Sequence, residues 1–91
     1  MIGIEVEING EKVCTVGTSG FDFLSAMLMW MDDRPWEFQV RGMSVSEGVR
    51  EHLKWLDREL KMGDQITIRF VEVAQSDTPG ERSLADPRPD A

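Results

Sequence analysis

Apolar and polar residues alternate at the start of the chain, which predicts a β-hairpin. Residues 2–8 place an isoleucine or valine at every even position, with polar or small residues between them. A period of two with β-branched side chains is typical of a half-buried strand. Asn9-Gly10 follows and favours a type I′ turn. A hairpin closed by this turn has the expected cross-strand pairs Val6–Val13, Ile4–Thr15 and Glu7–Lys12.

Two later segments have the spacing of amphipathic helices. Ser19, three residues before Asp22, is placed to cap a first helix that runs to about Asp32 or Asp33, where Pro35 ends the pattern. Ser44 and Glu47 have the spacing of a capping box at the start of a second helix. The apolar positions of that second helix recur at helical intervals: Val45, Val49, Leu53, Leu56 and Leu60.

Two further strands complete the predicted fold. Residues 36–41 alternate apolar and polar side chains before Gly42 breaks the pattern, and residues 65–73 form the last strand, with Ile66, Ile68 and Phe70 inward. The sequence therefore predicts an α+β domain over residues 1–73, a single four-stranded mixed sheet in the order β-β-α-β-α-β with both helices on one face. Residues 74–91 contain three of the four prolines and are predicted to be a disordered tail.

This order of elements resembles the β-grasp fold of ubiquitin and the bacterial sulfur carriers. The matching stretches are VEINGEKVCTV and LKMGDQITIRFVEV, and the resemblance implies that the last strand lies beside the first. Those proteins act through a C-terminal Gly-Gly, whereas this sequence ends Pro89-Asp90-Ala91. The resemblance therefore implies a carrier or modifier that lacks its reactive end. The stretch HLKWLDRELKMGDQI is also similar to small bacterial proteins of unknown function, which implies no chemistry.

Composition and charge narrow the classes of function. The net charge of −7 opposes nucleic-acid binding, and no apolar run is long enough for a membrane span. The strand pattern begins without a signal-peptide core, so we expect a cytoplasmic protein. Cys14 is the only cysteine and His52 the only histidine, which is too few for a zinc site and gives no evident nucleophile and base. We therefore expect no enzyme activity, catalytic residue, metal or cofactor.

A binding role is the remaining hypothesis. Met29 lies on the polar side of the first predicted helix, Trp30 at the edge of its apolar face, and Trp55 off the apolar stripe of the second. Exposed Trp and Met are enriched at interfaces, so these residues are the candidate contact site for a protein partner or a second copy. The alternative is that Trp55 folds over a loop or sheet edge and Met29 is merely exposed. The sequence thus favours a binding module, such as an adaptor, inhibitor or immunity-type protein, over a ubiquitin-like carrier.

Overall fold

The computed structural model describes residues 1–84, which form seven β-strands and no helix. The strands are β1 (Ile2–Ile8), β2 (Glu11–Gly17), β3 (Phe23–Met31), β4 (Arg34–Ser46), β5 (Val49–Glu59), β6 (Ile66–Glu72) and β7 (Glu81–Leu84). Sheet A has the order β2-β1-β6 and sheet B the order β3-β4-β5-β7, with all neighbours antiparallel. The predicted α+β class is therefore wrong, and so is the β-grasp-like arrangement of one mixed sheet with helices on one face.

The first hairpin turn forms as predicted. Asn9 and Gly10 have φ angles of 55° and 83°, the left-handed values that a type I′ turn requires. The Asn9 side chain also donates a hydrogen bond to the Asp64 carboxylate and accepts one from the Gln65 amide, at 3.0 and 2.9 Å. The bond to Asn9 is the main reason that the pKa of the Asp64 carboxyl lies below its ordinary value. This turn therefore also anchors the start of β6.

The register of the first hairpin differs from the prediction beyond its turn. The observed pairs are Ile4–Val16, Glu5–Thr15, Val6–Cys14 and Glu7–Lys12. The pairing of Glu7 with Lys12 is confirmed. The expected partners of Val6 and Ile4 are wrong, because Val13 forms a β-bulge that moves every later pair by one residue. The bulge turns Cys14 into the core instead of onto the polar face.

Both predicted helices are strands. The first is β3, which pairs along β4 from Phe23 to Met31. The second is replaced by the end of β4, a turn at Glu47-Gly48 and β5. Glu47 and Gly48 have φ angles of 52° and 80°, so they form a hairpin turn and not a helical first turn. The predicted strands at residues 36–41 and 65–73 are confirmed within β4 and β6, but Gly42 lies inside β4 and does not end it.

The core lies where sheet A packs on sheet B. Sheet A contributes Ile4, Val6, Cys14 and Val16, and sheet B contributes Phe38 and Val40. Val6, Val16 and Val40 are completely buried. The packed region is small because its buried residues come from β1 and β2 of sheet A and from β4 of sheet B. This arrangement leaves β3 and β6 with partly uncovered faces.

Residues after β6 close one side of this sandwich. Asp77 and Thr15 of β2 exchange hydrogen bonds: the Asp77 amide donates to the Thr15 carbonyl, and the Thr15 amide donates to the Asp77 carboxylate. β7 then pairs with β5, with Leu53 opposite Arg82. Residues 74–84 of the predicted disordered tail therefore contact both sheets, and residues 85–91 lie outside the described residues.

Candidate interaction surface

Four strands lie at sheet edges in residues 1–84, and β3 differs from the other three. β2 carries Glu11 and Lys12, β6 carries Arg69 and Glu72, and β7 carries Glu81 and Arg82. β3 has the sequence FLSAMLMWM, without a charge, proline or glycine. Charges, short length and covering segments are the devices by which edge strands avoid pairing with other chains. β3 has none of these within its length.

The charges on the other edges are engaged. The Arg69 guanidinium lies 2.6 Å from the Glu7 carboxylate on the outer face of sheet A. The Lys54 ammonium lies 2.6 Å from the Glu81 carboxylate and joins β5 to β7. The hydrogen bond from Lys54 lowers the pKa of the Glu81 carboxyl below its ordinary value. These ion pairs link β6 and β7 to their neighbouring strands. No ion pair within residues 1–84 involves a β3 side chain.

The inner face of sheet A continues past the region that sheet B covers. Phe70 pairs with Ile4 and Ile68 pairs with Val6, so all four side chains are on the same face of the sheet. Ile4 and Val6 are buried, but Ile68 is 44% exposed and Phe70 is 85% exposed. The prediction that Ile68 and Phe70 point inward is correct for the face of the sheet. It is wrong for burial, because Ile68 and Phe70 line an open cleft across from β3 and are not part of the packed core.

Sheet B shows the same feature at β3. Leu28 pairs with buried Phe38, and Ala26 pairs with buried Val40, so both lie on the inner face of sheet B. Leu28 is nevertheless 54% exposed, and Ala26 is also exposed. The apolar inner faces of both sheets are thus uncovered on the same side of the molecule.

Two clefts lie end to end between these uncovered faces. One, of about 440 Å³, is lined by Leu24 and Ala26 of β3 and by Ile68 and Phe70 of β6, together with β1. The other, of about 550 Å³, is lined by Leu28, Trp36, Leu60 and Ile66 among others. We call the combined space the open groove, bounded by Leu24, Ala26 and Leu28 on β3 and by Ile66, Ile68 and Phe70 on β6. It is opposite the side that Asp77 closes.

Two of the residues predicted to contact a partner lie on β3. Met29 is half-buried and lies opposite Glu37, and Trp30 is 59% exposed and lies opposite a bulge in β4. The Trp30 ring lies 6.3 Å from the Trp36 ring, measured between centroids. The sequence therefore pointed to the strand that borders the open groove, but by a wrong helical argument. It did not identify Ala26, whose small size gives no compositional signal.

Trp55 has a different position. Its ring lies 5.2 Å from the Phe21 ring, and its indole N–H donates a hydrogen bond of 2.8 Å to the Asp77 carbonyl. Gly42 lies beneath the ring, so that a Cβ atom built there would be 2.9 Å from a ring carbon. Trp55 thus packs on the closed side of the sandwich, away from Met29 and Trp30, and the structure does not bring the three residues together.

Trp55→Phe should destabilise the protein by about 1 kcal/mol, the usual contribution of one hydrogen bond. Phenylalanine retains the aromatic contact with Phe21 but leaves the Asp77 carbonyl without its donor. Trp30→Phe is the matched control and should change stability by less than about 0.5 kcal/mol, since Trp30 is exposed. Urea unfolding measures both, and equal losses would contradict the different roles assigned to the two tryptophans.

Cys14 and His52, the two residues considered for catalysis, lie on different parts of the molecule. Cys14 is buried in the core, and burial raises the pKa of its thiol to about 11, with a smaller contribution from Asp77. A thiol with this pKa is a poor nucleophile at neutral pH. His52 is exposed and lies opposite Met43, on the outer face of sheet B. Within residues 1–84 no cluster of three or more His, Cys, Asp or Glu side chains is arranged to hold a metal ion.

Comparisons with known proteins gave no relative. The sequence matches no protein-family model and no curated protein, and no solved structure matches the fold. Across residues 1–84 no helix is long and apolar enough to cross a membrane. The structural features available for a functional proposal are the uncharged β3 edge and the open groove beside it.

Proposed function

We propose that this chain is a non-enzymatic protein-binding module that accepts an extended segment of another protein as an additional strand beside β3. The observation that supports the proposal is the coincidence of two features on one side of the molecule. One is an edge strand without charges, and the other is an apolar groove next to it. Strand addition to a free sheet edge is a recurring mode of peptide recognition.

The groove determines how such a segment would bind. A strand beside β3 extends sheet B on the side where β3 and β6 border the open groove. Its main chain would form hydrogen bonds with β3, and every second side chain would enter the open groove. Those side chains would contact Ile68 and Phe70 across the groove. The added strand would thereby extend the apolar core between the two sheets.

The expected affinity is modest. Complete burial of a large apolar side chain contributes about 1.5–3 kcal/mol. Leu28, Ile68 and Phe70 are 54%, 44% and 85% exposed, and covering their exposed parts offers roughly 3–6 kcal/mol in total. Association opposes this with about 4–15 kcal/mol of lost freedom. With main-chain hydrogen bonds and the side chains of the segment added, we expect a Kd on the order of 10–100 µM.

A peptide of alternating valine and threonine tests the proposal. Gln-Thr-Val-Thr-Val-Thr-Val-Thr-Val-Thr-Gln, hereafter the Gln-ended peptide, can place its valines toward the groove and its threonines toward the outer face. Titration calorimetry with residues 1–91 should show saturable one-to-one binding with a negative heat-capacity change, the mark of apolar burial.

The control peptide has prolines in place of two interior threonines. Proline lacks the amide hydrogen and breaks strand pairing but leaves the valines in place. It should bind at least about tenfold more weakly. Equal binding of the two peptides would show that the groove takes up apolar side chains without strand addition, and absence of binding by the Gln-ended peptide would contradict the proposal outright.

A further inference from the structure

We infer, on the basis of the proposed function, that the natural partner segment is an apolar strand with a lysine or arginine at each end. The inference depends on what borders β3. The strand itself is uncharged, but Asp22 precedes it and Asp32 and Asp33 follow it. The edge is thus apolar along its length and acidic at both ends, and a complementary strand has the opposite charge at its ends.

The carboxylates at the two ends of β3 differ in their contacts. Asp22 accepts a hydrogen bond of 2.7 Å from the Val45 amide, which holds its carboxylate against β4 at the start of β3. Asp32 is exposed, and no cation within residues 1–84 forms an ion pair with it. Asp33 lies 3.7 Å from the guanidinium of Arg34 and is partly neutralised. Asp22 and Asp32 therefore place one negative charge at each end of β3, that of Asp22 on the side of β4.

Charge repulsion opposes a second copy of this chain as the occupant in the symmetric register centred on Met27. An antiparallel pair of β3 strands centred on Met27 would place Asp22 of each copy opposite Asp32 of the other. Like charges directly opposite each other destabilise a strand pair, and this arrangement would do so twice. The net charge of −7 on each copy adds a general repulsion. The charge pattern thus favours a different, basic partner over self-pairing.

An antiparallel register that runs from Asp22 to Asp32 also predicts where the positively charged residues of the partner segment lie. In an antiparallel segment, one residue lies opposite Asp22 and another opposite Asp32, and the residues opposite Leu24, Ala26 and Leu28 share the face that enters the groove. A peptide of the same length as the Gln-ended peptide therefore spans both acids with its terminal residues, and its valines face the groove. Replacing only the terminal residues tests charge without altering the apolar contacts.

Three peptides separate this inference from the proposed function. They are the Gln-ended peptide and the versions with lysine or with glutamate at both ends, measured by calorimetry at low salt. We expect the Lys-ended peptide to bind at least about tenfold more tightly than the Glu-ended peptide. The Gln-ended peptide should lie between them, and the difference should shrink in high salt.

A charge-matched pair of variants tests whether these acids are responsible. The double variant Asp22→Asn with Asp32→Asn keeps an oxygen that can accept from the Val45 amide, and it should reduce the Lys-to-Glu preference to below about threefold. The control, Glu11→Gln with Glu59→Gln, removes two acids that lie neither on β3 nor on its neighbour β4, and it should retain the preference. If the preference survives the first variant or disappears in the control, the inference fails.

The remaining outcomes are also decisive. Equal affinity for the Lys-ended and Glu-ended peptides would overturn the inference and leave the proposed function intact. Failure of all three peptides to bind would remove both. Sedimentation of the free chain should show a monomer at micromolar concentration, and a dimer that Ala26→Lys dissociates would overturn the inference in favour of self-pairing.

Discussion

Ala26→Lys should weaken binding of the Gln-ended peptide by about a hundredfold and leave folding stability within about 0.5 kcal/mol of the original. Ala26 is exposed and lines the groove at the middle of β3. A lysine there stays in water while the groove is empty. When a strand binds beside β3, the lysine ammonium either loses its hydration or occupies the part of the groove that the peptide valines would fill. Titration calorimetry and urea unfolding measure the two quantities.

Ser83→Lys is the matched control for this variant. Ser83 is an exposed small residue on β7, the opposite edge of sheet B. The same substitution there adds the same charge and should change peptide affinity by less than about twofold. Equal weakening by both lysines would mean that net charge and not the position on β3 governs binding, which contradicts the assigned site.

Gly42→Ala should destabilise the protein by about 1–3 kcal/mol, the range for overpacking a close-packed site. A Cβ atom at residue 42 would be 2.8 Å from the Phe23 carbonyl oxygen and 2.9 Å from a carbon of the Trp55 ring. The carbonyl belongs to the backbone of the neighbouring strand and can move only if the β3–β4 pairing changes. Urea unfolding followed by tryptophan fluorescence measures the loss.

This substitution also separates the observed fold from the predicted one. In the predicted α+β fold, Gly42 lies in a break between a strand and a helix, where alanine would be harmless. Gly80→Ala is the control, since the nearest atom to its Cβ would be 3.8 Å away. Gly80→Ala should change stability by less than about 0.5 kcal/mol. Similar effects of the two substitutions would argue against the packing of β3, β4 and Trp55 described above.

The features that the sequence predicted correctly are those with a local cause. Asn9-Gly10 specifies its turn through the backbone angles that the two residues tolerate, whatever surrounds them. Alternation in residues 36–41 likewise follows from one covered and one uncovered face, since Phe38 and Val40 are buried. In residues 65–73 it marks the side chains on the inner face of sheet A, although β6 leaves them partly uncovered. The bulge at Val13 has no local signal, so the register beyond the turn was predicted incorrectly.

The second predicted helix shows how a bulge can imitate a helix. Val40 and Gly42 are two residues apart on β4, but their partners Leu56 and Leu53 are three residues apart on β5. The extra residue lies in β5 at a bulge, which lets both leucines face inward although regular alternation would separate them. A spacing of three between buried residues is also the spacing of a helix turn, so the pattern alone could not distinguish the two structures.

The groove could not be predicted because it depends on the relation between the two sheets. Ile68 and Phe70 alternate as core residues should, and nothing in their neighbourhood in sequence indicates that sheet B fails to reach them. β3 was misread because it carries apolar side chains on both faces, which resembles a helix that is apolar over half its circumference. That departure from alternation marks the strand that borders the groove.

Residue-resolved amide hydrogen exchange, with and without the Gln-ended peptide, tests the binding mode most directly. If the peptide adds as a strand, the amides of β3 that point away from β4 should gain protection at saturation, because each then donates to the peptide main chain. Amides of β2 and β7, at the other edges, should exchange as before. Protection confined to β6 or β7, or unchanged exchange along β3 in the saturated complex, would contradict strand addition at β3.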